Sequence, residues 1–131
     1  MCGTYTAILD AAGELVIAVA DMQGMAAIGS AFLQQSLADV AAGDTLVADA
    51  NLSADSLRAL ADLAQAKQAR LVLEPVSVAK SLRLLPILEA KLPVFLMSPN
   101  LAQLAALTGV SVRGQTDLEA ACFKLHGQNV K

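Results

Sequence analysis

The sequence predicts an α/β fold, a partial parallel sheet of about three strands flanked by helices and preceded by a β-hairpin. Three observations predict it. At Ala48-Asp49-Ala50-Asn51, Leu73-Glu74-Pro75-Val76-Ser77 and Met97-Ser98-Pro99-Asn100, an apolar strand-like run ends in a polar residue and gives way to a helix-like segment. Successive strand-like runs recur about 25 residues apart, the spacing that a right-handed parallel crossover requires. The chain is 56% hydrophobic but only 3% aromatic, which suits a core layered from Leu, Val, Ile and Ala between a sheet and its helices.

The elements follow in order. Thr4 to Leu9 and Glu14 to Ala20 are β-prone runs joined by Asp10-Ala11-Ala12-Gly13, whose glycine can take a positive φ, so they read as a hairpin. A helix is expected from Ser30-Ala31-Phe32-Leu33 to near Ala42-Gly43. Thr45 to Ala50 reads as a buried strand, and Ser53 as the N-cap of a helix running to about Lys67 with Leu57, Leu60, Ala61 and Ala64 inward. Arg70 to Glu74 is the next strand, Val78 to Lys91 a helical stretch that Pro86 kinks or ends, and Val94 to Ser98 the third strand. Asn100 to Thr108 is helical, with Leu101, Leu104, Ala105 and Leu107 as its apolar face and Gly109 as terminator. A last helix opens at Thr116 in a T-x-x-E capping box with Glu119 and closes at Gly127. A further strand is expected to begin at Asn129-Val130-Lys131.

Length and composition narrow the function. With 131 residues the chain is expected to be one domain, burying about two-thirds of its unfolded surface. The longest apolar run, Leu15 to Ala20, is far short of the roughly 20 residues a membrane span needs. Nothing before Gly3 resembles a secretory signal, and the two cysteines, Cys2 and Cys122, lack metal-type spacing, so a reduced, cytoplasmic setting is expected. A net charge of −3 without a Lys/Arg cluster argues against a nucleic-acid polymer as partner. The one histidine, His126, sits in the last turn of the final helix, where a cationic group complements the helix dipole. Histidine-dependent triads and metal sites would all have to use it. No Walker A or G-x-G-x-x-G loop follows a strand.

Chemistry is expected at the strand ends instead. Asn51, Glu74 and Asn100 fall at the carboxyl ends of successive strands, the rim where open parallel sheets bind ligands. Each alone could be a turn, capping or solvated residue. Together, with Lys80 close after Glu74, they suit a polyanion and a divalent cation, since hard oxygen ligands fit Mg²⁺ and an ammonium fits phosphate. The residues alone therefore point to a phosphate-handling α/β protein.

At these residues the chain resembles the PfkB/ribokinase family of ATP-dependent sugar and nucleoside kinases, and within it the pseudouridine kinases most closely. The resemblance runs through Gly3-Thr4-Tyr5-Thr6-Ala7-Ile8-Leu9-Asp10-Ala11-Ala12-Gly13-Glu14-Leu15, Ala20-Asp21-Met22, Asp49-Ala50-Asn51-Leu52-Ser53, Glu74-Pro75-Val76-Ser77-Val78-Ala79-Lys80, Ser98-Pro99-Asn100 and Leu107-Thr108-Gly109. It implies a ribokinase-like fold spanning residues 1–131 as part of a domain, with residues 3–21 a lid hairpin and 22–131 a central α/β segment. It further implies that Thr4, Tyr5 and Thr6 lie near the sugar or base, that Asn51 and Glu74 face the cleft, and that Lys80 approaches the ATP phosphates. Asn100 matches the Asn of the family's N-x-x-E motif, which organises Mg²⁺ and phosphate, but Gln103 stands where the motif has Glu. Glu74, Asn100 and Gln103 are thus the implied metal-organising set, with a neutral amide in place of one charge.

The resemblance also implies what these residues do without. The family's N-terminal glycine pair and its later G-A-G-D segment, which supplies the anion hole and the catalytic Asp, do not occur here. No residue of this chain is expected to be the catalytic base, and the chain by itself is expected to have no useful turnover. The implied partners are a nucleoside or sugar and Mg-ATP, with a homodimer through the lid hairpin. A natural non-catalytic module that binds a nucleoside or another protein is the competing expectation, and an unrelated α/β domain is a third.

Overall fold

The computed structural model describes residues 3–131, so Cys2 lies outside the described residues. Two sheets are present: an antiparallel hairpin of β1 (Thr4–Leu9) and β2 (Leu15–Asp21), and a parallel sheet of β3 (Thr45–Asp49), β4 (Arg70–Glu74) and β5 (Leu96–Met97) in that order. The α/β class and the three-stranded parallel sheet expected from the sequence are therefore those observed.

The hairpin closes through Asp10, whose Oδ1 accepts from the backbone N–H groups of Ala12 and Glu14 at 2.9 Å each, while Gly13 takes φ +84°. That positive φ is the conformation for which the turn needs glycine. After a 3₁₀ turn at Gln23–Ala27, helix α1 covers only Ser30–Ser36. It stops before the expected Ala42-Gly43 because the following backbone is bound elsewhere. Lys67 Nζ donates to the carbonyls of Ala38 at 2.6 Å and Val40 at 3.0 Å, and the Ala41 N–H donates to Asp44.

Helix α2 (Ala54–Ala66) starts as the sequence predicts, with Ser53 accepting from the Ser56 N–H, and buries Leu57, Leu60, Ala61 and Ala64. The expected Val78–Lys91 helix is broken into α3 (Val78–Ser81), a 3₁₀ turn (Leu82–Leu84) and α4 (Leu85–Glu89). Pro86 opens α4 rather than ending a longer helix, since a proline without an N–H is tolerated only in a first turn. β5 is shorter than Val94 to Ser98, but Val94 forms a parallel bridge to Val130, where the sequence suggests a further strand.

α5 (Leu101–Thr108) ends at Gly109 with φ +71°. Leu104 and Leu107 are buried as expected, whereas Leu101 is exposed and Gln103 takes an inward position. In α6 (Gln115–Gly127) the N-cap is Gly114, so Thr116 lies inside the helix and the expected Thr116–Glu119 box does not form. The first turn is held instead by Asp117, which accepts from the Arg113 N–H at 2.9 Å.

The core gathers Leu46, Leu71, Leu73 and Met97 of the parallel sheet with Leu57, Leu60, Leu84, Ile87, Leu88 and Leu104 of the helices. On the other face of the sheet, Val47, Val72 and Leu96 form one cross-strand row, of which Val47 is 74% and Leu96 48% exposed. The layering sets a clear contrast in stability. Leu73→Ala, at a fully buried site, is expected to cost about 2–5 kcal/mol, and Val47→Ala less than 1 kcal/mol, in urea unfolding followed by circular dichroism.

Candidate functional site

The site is assembled by the register of the parallel sheet. Asp49 pairs with Glu74, and the Ala50 N–H donates to the Glu74 carbonyl at 2.9 Å, so the ends of β3 and β4 finish side by side. Beyond β3 the chain turns at once. Asp49 accepts twice from Asn51, through Oδ1 from its backbone N–H at 2.9 Å and through Oδ2 from its side-chain Nδ2 at 2.8 Å. That clamp leaves the Asn51 amide oxygen facing Lys80, whose Nζ donates to it at 2.5 Å. Asp49, Asn51 and Lys80 are all half-buried, which shields this polar chain from full solvent competition.

The β4–α3 loop carries backbone strain. Val76, a β-branched residue, sits at φ +66°, a region such residues rarely enter. Its N–H donates to Glu74 Oε1 at 3.2 Å, and Glu74 Oε2 accepts from Ser98 Oγ at 2.5 Å. Glu74 therefore ties its own loop to the end of β5. Ser77 then caps α3, accepting from the Lys80 N–H at 3.3 Å, which fixes where the lysine stem leaves the backbone.

At the third strand end Asn100 and Gln103 make a reciprocal capping box. The Gln103 N–H donates to Asn100 Oδ1 at 2.9 Å, and the Asn100 N–H donates to Gln103 Oε1 at 2.8 Å. Both side-chain oxygens are thus spent on the start of α5, and Gln103 is buried. Glutamine serves this cap as a glutamate would, which accounts for the Gln at 103 in structural terms. Among the described residues no group of three or more His, Cys, Asp or Glu side chains gathers as a metal cage. Of Glu74, Asn100 and Gln103, only Glu74 brings a carboxylate, so a cation here would take most of its ligands from phosphate and water.

The hairpin residues divide. Side chains alternate along a strand, so Thr4 and Thr6 share one face of β1 and Tyr5, 60% exposed, occupies the other. One ligand in contact with one face meets the threonines or the tyrosine, not all three. His126 and Cys122 are both exposed on α6, the histidine in the last turn.

Arg83 is the rim residue that motif reading passes over. Its Nη1 donates to the carbonyls of Ala50 at 3.0 Å, Asn51 at 3.1 Å and Leu52 at 3.1 Å. Its position three residues after Lys80 is the signal that could have found it, since such residues share a helix face. Beside this turn opens a groove of about 330 Å³ lined in part by Met22, Met25, Asn51, Ser53 and Arg83. A larger groove of about 510 Å³ runs along β3, where Ile28, Leu33, Leu37 and Leu52 make it chiefly apolar and Asp49 and Glu74 are its acidic lining.

No family model matches the chain. By sequence it is 29% identical over 128 residues to the pseudouridine kinase of Escherichia coli (strain K12), covering 96% of this chain and 39% of that protein. Among solved structures it is similar to a carbohydrate kinase from Agrobacterium tumefaciens, with a TM-score of 0.73, 30% identity, and coverage of 98% of this chain and 39% of that one. It is also similar to a protein described as a sugar kinase from Clostridium perfringens, with a TM-score of 0.70, 26% identity, and coverage of 97% and 39% respectively. The fold is that of a portion of these ribokinase-like kinases, and the chain spans about two-fifths of the length of each.

Two substitutions probe the rim's local energetics. Val76→Gly removes the Cβ that disfavours φ +66° and is expected to raise stability by about 0.5–1 kcal/mol despite glycine's greater unfolded-state freedom, read as a higher urea midpoint. Asn100→Ala removes the acceptor for the Gln103 N–H and is expected to lower it by about 1 kcal/mol in the same experiment.

Proposed function

We propose that the chain is part of an ATP- and Mg²⁺-dependent PfkB-type kinase that phosphorylates a hydroxyl of a nucleoside or sugar, with pseudouridine to pseudouridine 5′-phosphate as the favoured reaction. The observation that carries this reading is the Lys80–Asn51 hydrogen bond at the rim shared with Glu74. A half-buried ammonium held by a neutral amide keeps its full positive charge for an incoming anion, which pairing with a carboxylate would cancel. The names of the similar proteins support the substrate class: one is a pseudouridine kinase and two are described as carbohydrate or sugar kinases.

In this reading Lys80 meets the ATP phosphates, with the N-terminus of α5 at Asn100 beside the same anion. Glu74 accepts hydrogen bonds from water around the cation, and Asn51 contacts substrate as well as orienting Lys80. Magnesium, when bound, neutralises charge on the transferring phosphoryl group. Residues 3–21 act as the lid over the substrate, with Thr4 and Thr6 or Tyr5 toward it, and residues 22–131 form the central segment. A lid excludes water that would otherwise hydrolyse ATP. The setting that goes with this reading is the cytoplasm, where ATP is the cosubstrate. Separately, no described helix is long and apolar enough to cross a membrane.

Transfer forms a bond from the substrate oxygen to the γ-phosphorus, breaks the bond to the ADP oxygen, and sends the hydroxyl proton to a base. These 131 residues contain no G-A-G-D segment to supply that base and the anion hole. A general base contributes about 10²–10⁴-fold and each charge-stabilising donor about 10²–10³-fold. The 131-residue chain on its own is therefore proposed to bind without turning over.

A second reading, a non-catalytic nucleoside-binding or protein-interaction module, draws on the hairpin. Its Ile8, Ile17 and Val19 are each more than half exposed and lie on one face of the hairpin, a surface suited to a homodimer through it.

Calorimetric titration of the 131-residue chain with Mg-ATP tests the first reading, alongside an assay for ADP release with pseudouridine. The expected result is Mg-ATP binding weakened about tenfold or more by Lys80→Ala, with no ADP above background. Equal binding by the native chain and K80A would remove Lys80 from the phosphate site, and pseudouridine 5′-phosphate formed by the chain alone would overturn its proposed inactivity.

A further inference from the structure

We propose that Arg83 is a positioning residue that fixes the turn after β3 and thereby sets the Asn51–Lys80 pair. Its functional meaning rests on the reading of Lys80 as a phosphate-binding group, while its geometry can be tested without that reading.

The turn's backbone accounts for itself only through this side chain. The Ala50 N–H donates to the Glu74 carbonyl at 2.9 Å, the Asn51 N–H to Asp49 Oδ1 at 2.9 Å, and the Leu52 N–H to the Asp49 carbonyl at 3.3 Å. All three donors are thus met within the sheet end and the turn. The three matching carbonyls converge on one nitrogen, Arg83 Nη1, at 3.0, 3.1 and 3.1 Å. Ala50 and Leu52 are buried, so water is a poor substitute for that nitrogen.

Arg83 and Lys80 leave the same short helical stretch three residues apart, α3 and the 3₁₀ turn after it. That one element supplies the group that holds the Asn51 backbone and the group that binds its side chain. With the backbone held by Arg83 and Nδ2 held by Asp49, the amide has one way to face, oxygen toward Lys80. Arginine suits the task because its Nη1 sits at the end of a rigid planar group that reaches all three carbonyls; a lysine at 83 keeps the charge, but its nitrogen lies one bond nearer the backbone and falls short of them.

The test uses the isotope-labelled 131-residue chain and its variants Arg83→Gln, Arg83→Lys, Asn51→Ala and N51A/R83Q. Two readouts are taken: the NMR signals of the Asn51 side-chain amide, and affinity for inorganic tripolyphosphate. R83Q and R83K are both expected to move the Asn51 amide signals to those of a solvated asparagine. R83Q and N51A are each expected to weaken tripolyphosphate binding about tenfold, and the double variant no further than either single. R83K separates positioning from simple charge, because a purely electrostatic Arg83 would tolerate lysine; it also decides the matter if R83Q does not fold. Native Asn51 signals in either folded variant, or losses that multiply in the double variant, would overturn the proposal. If the native chain binds no tripolyphosphate, the phosphate role of Lys80 fails, and the Asn51 signals still decide what Arg83 does.

Discussion

The parallel register between β3 and β4 is the constraint on which the rest depends. Because Asp49 lies opposite Glu74, the two strands end level, and the chains that leave them run side by side. A shift of one residue would turn Leu71 and Leu73 out of the core and carry Glu74 to the opposite face. The buried leucines thus hold in place the polar residues just beyond them.

From that register the rim follows by short-range interactions, each of which uses up a polar group the turn would otherwise leave unmet. Asp49 satisfies the Asn51 donors, Arg83 the carbonyls, and Glu74 both the strained Val76 N–H and Ser98. What is left over is a charged ammonium at Lys80, bound to a neutral oxygen. The strain at Val76 belongs to the same picture: the loop accepts an unfavourable φ where doing so lets Glu74 bridge two strand ends. The third strand end differs, since Asn100 and Gln103 satisfy each other and serve the helix start first.

Much of this was legible in the sequence because its signals are local. The Ser53 cap, the inward face of α2, the Arg70–Glu74 strand and the Gly109 stop all rest on spacing or on one residue's conformational preference. The misses came where a distant partner decided the outcome. α1 is cut short by Lys67, 29 residues away from Ala38 in the chain. Thr116 lost its cap to Asp117 and Gly114, and the exposed Leu101 could not be told from a core leucine by periodicity over about two turns. At the site, Asn51, Glu74 and Asn100 stand out by residue type at strand ends and Lys80 by its place soon after Glu74, whereas Arg83 acts on backbone carbonyls, which leave no motif. The separation of Tyr5 from Thr4 and Thr6 follows from strand alternation and needed only the strand's existence.

In the kinase reading proposed for this chain, phosphate binds at one rim, made by the ends of β3, β4 and β5. Amide chemical-shift mapping of the 131-residue chain during titration with Mg-ATP tests it most directly. With phosphate at the rim, the largest perturbations are expected to cluster at Asp49–Ser53, Glu74–Arg83 and Ser98–Gln103, with the remote ends of the strands unmoved. Perturbations concentrated in the apolar groove around Leu33 and Leu37, or along α6, with the rim silent, would contradict it.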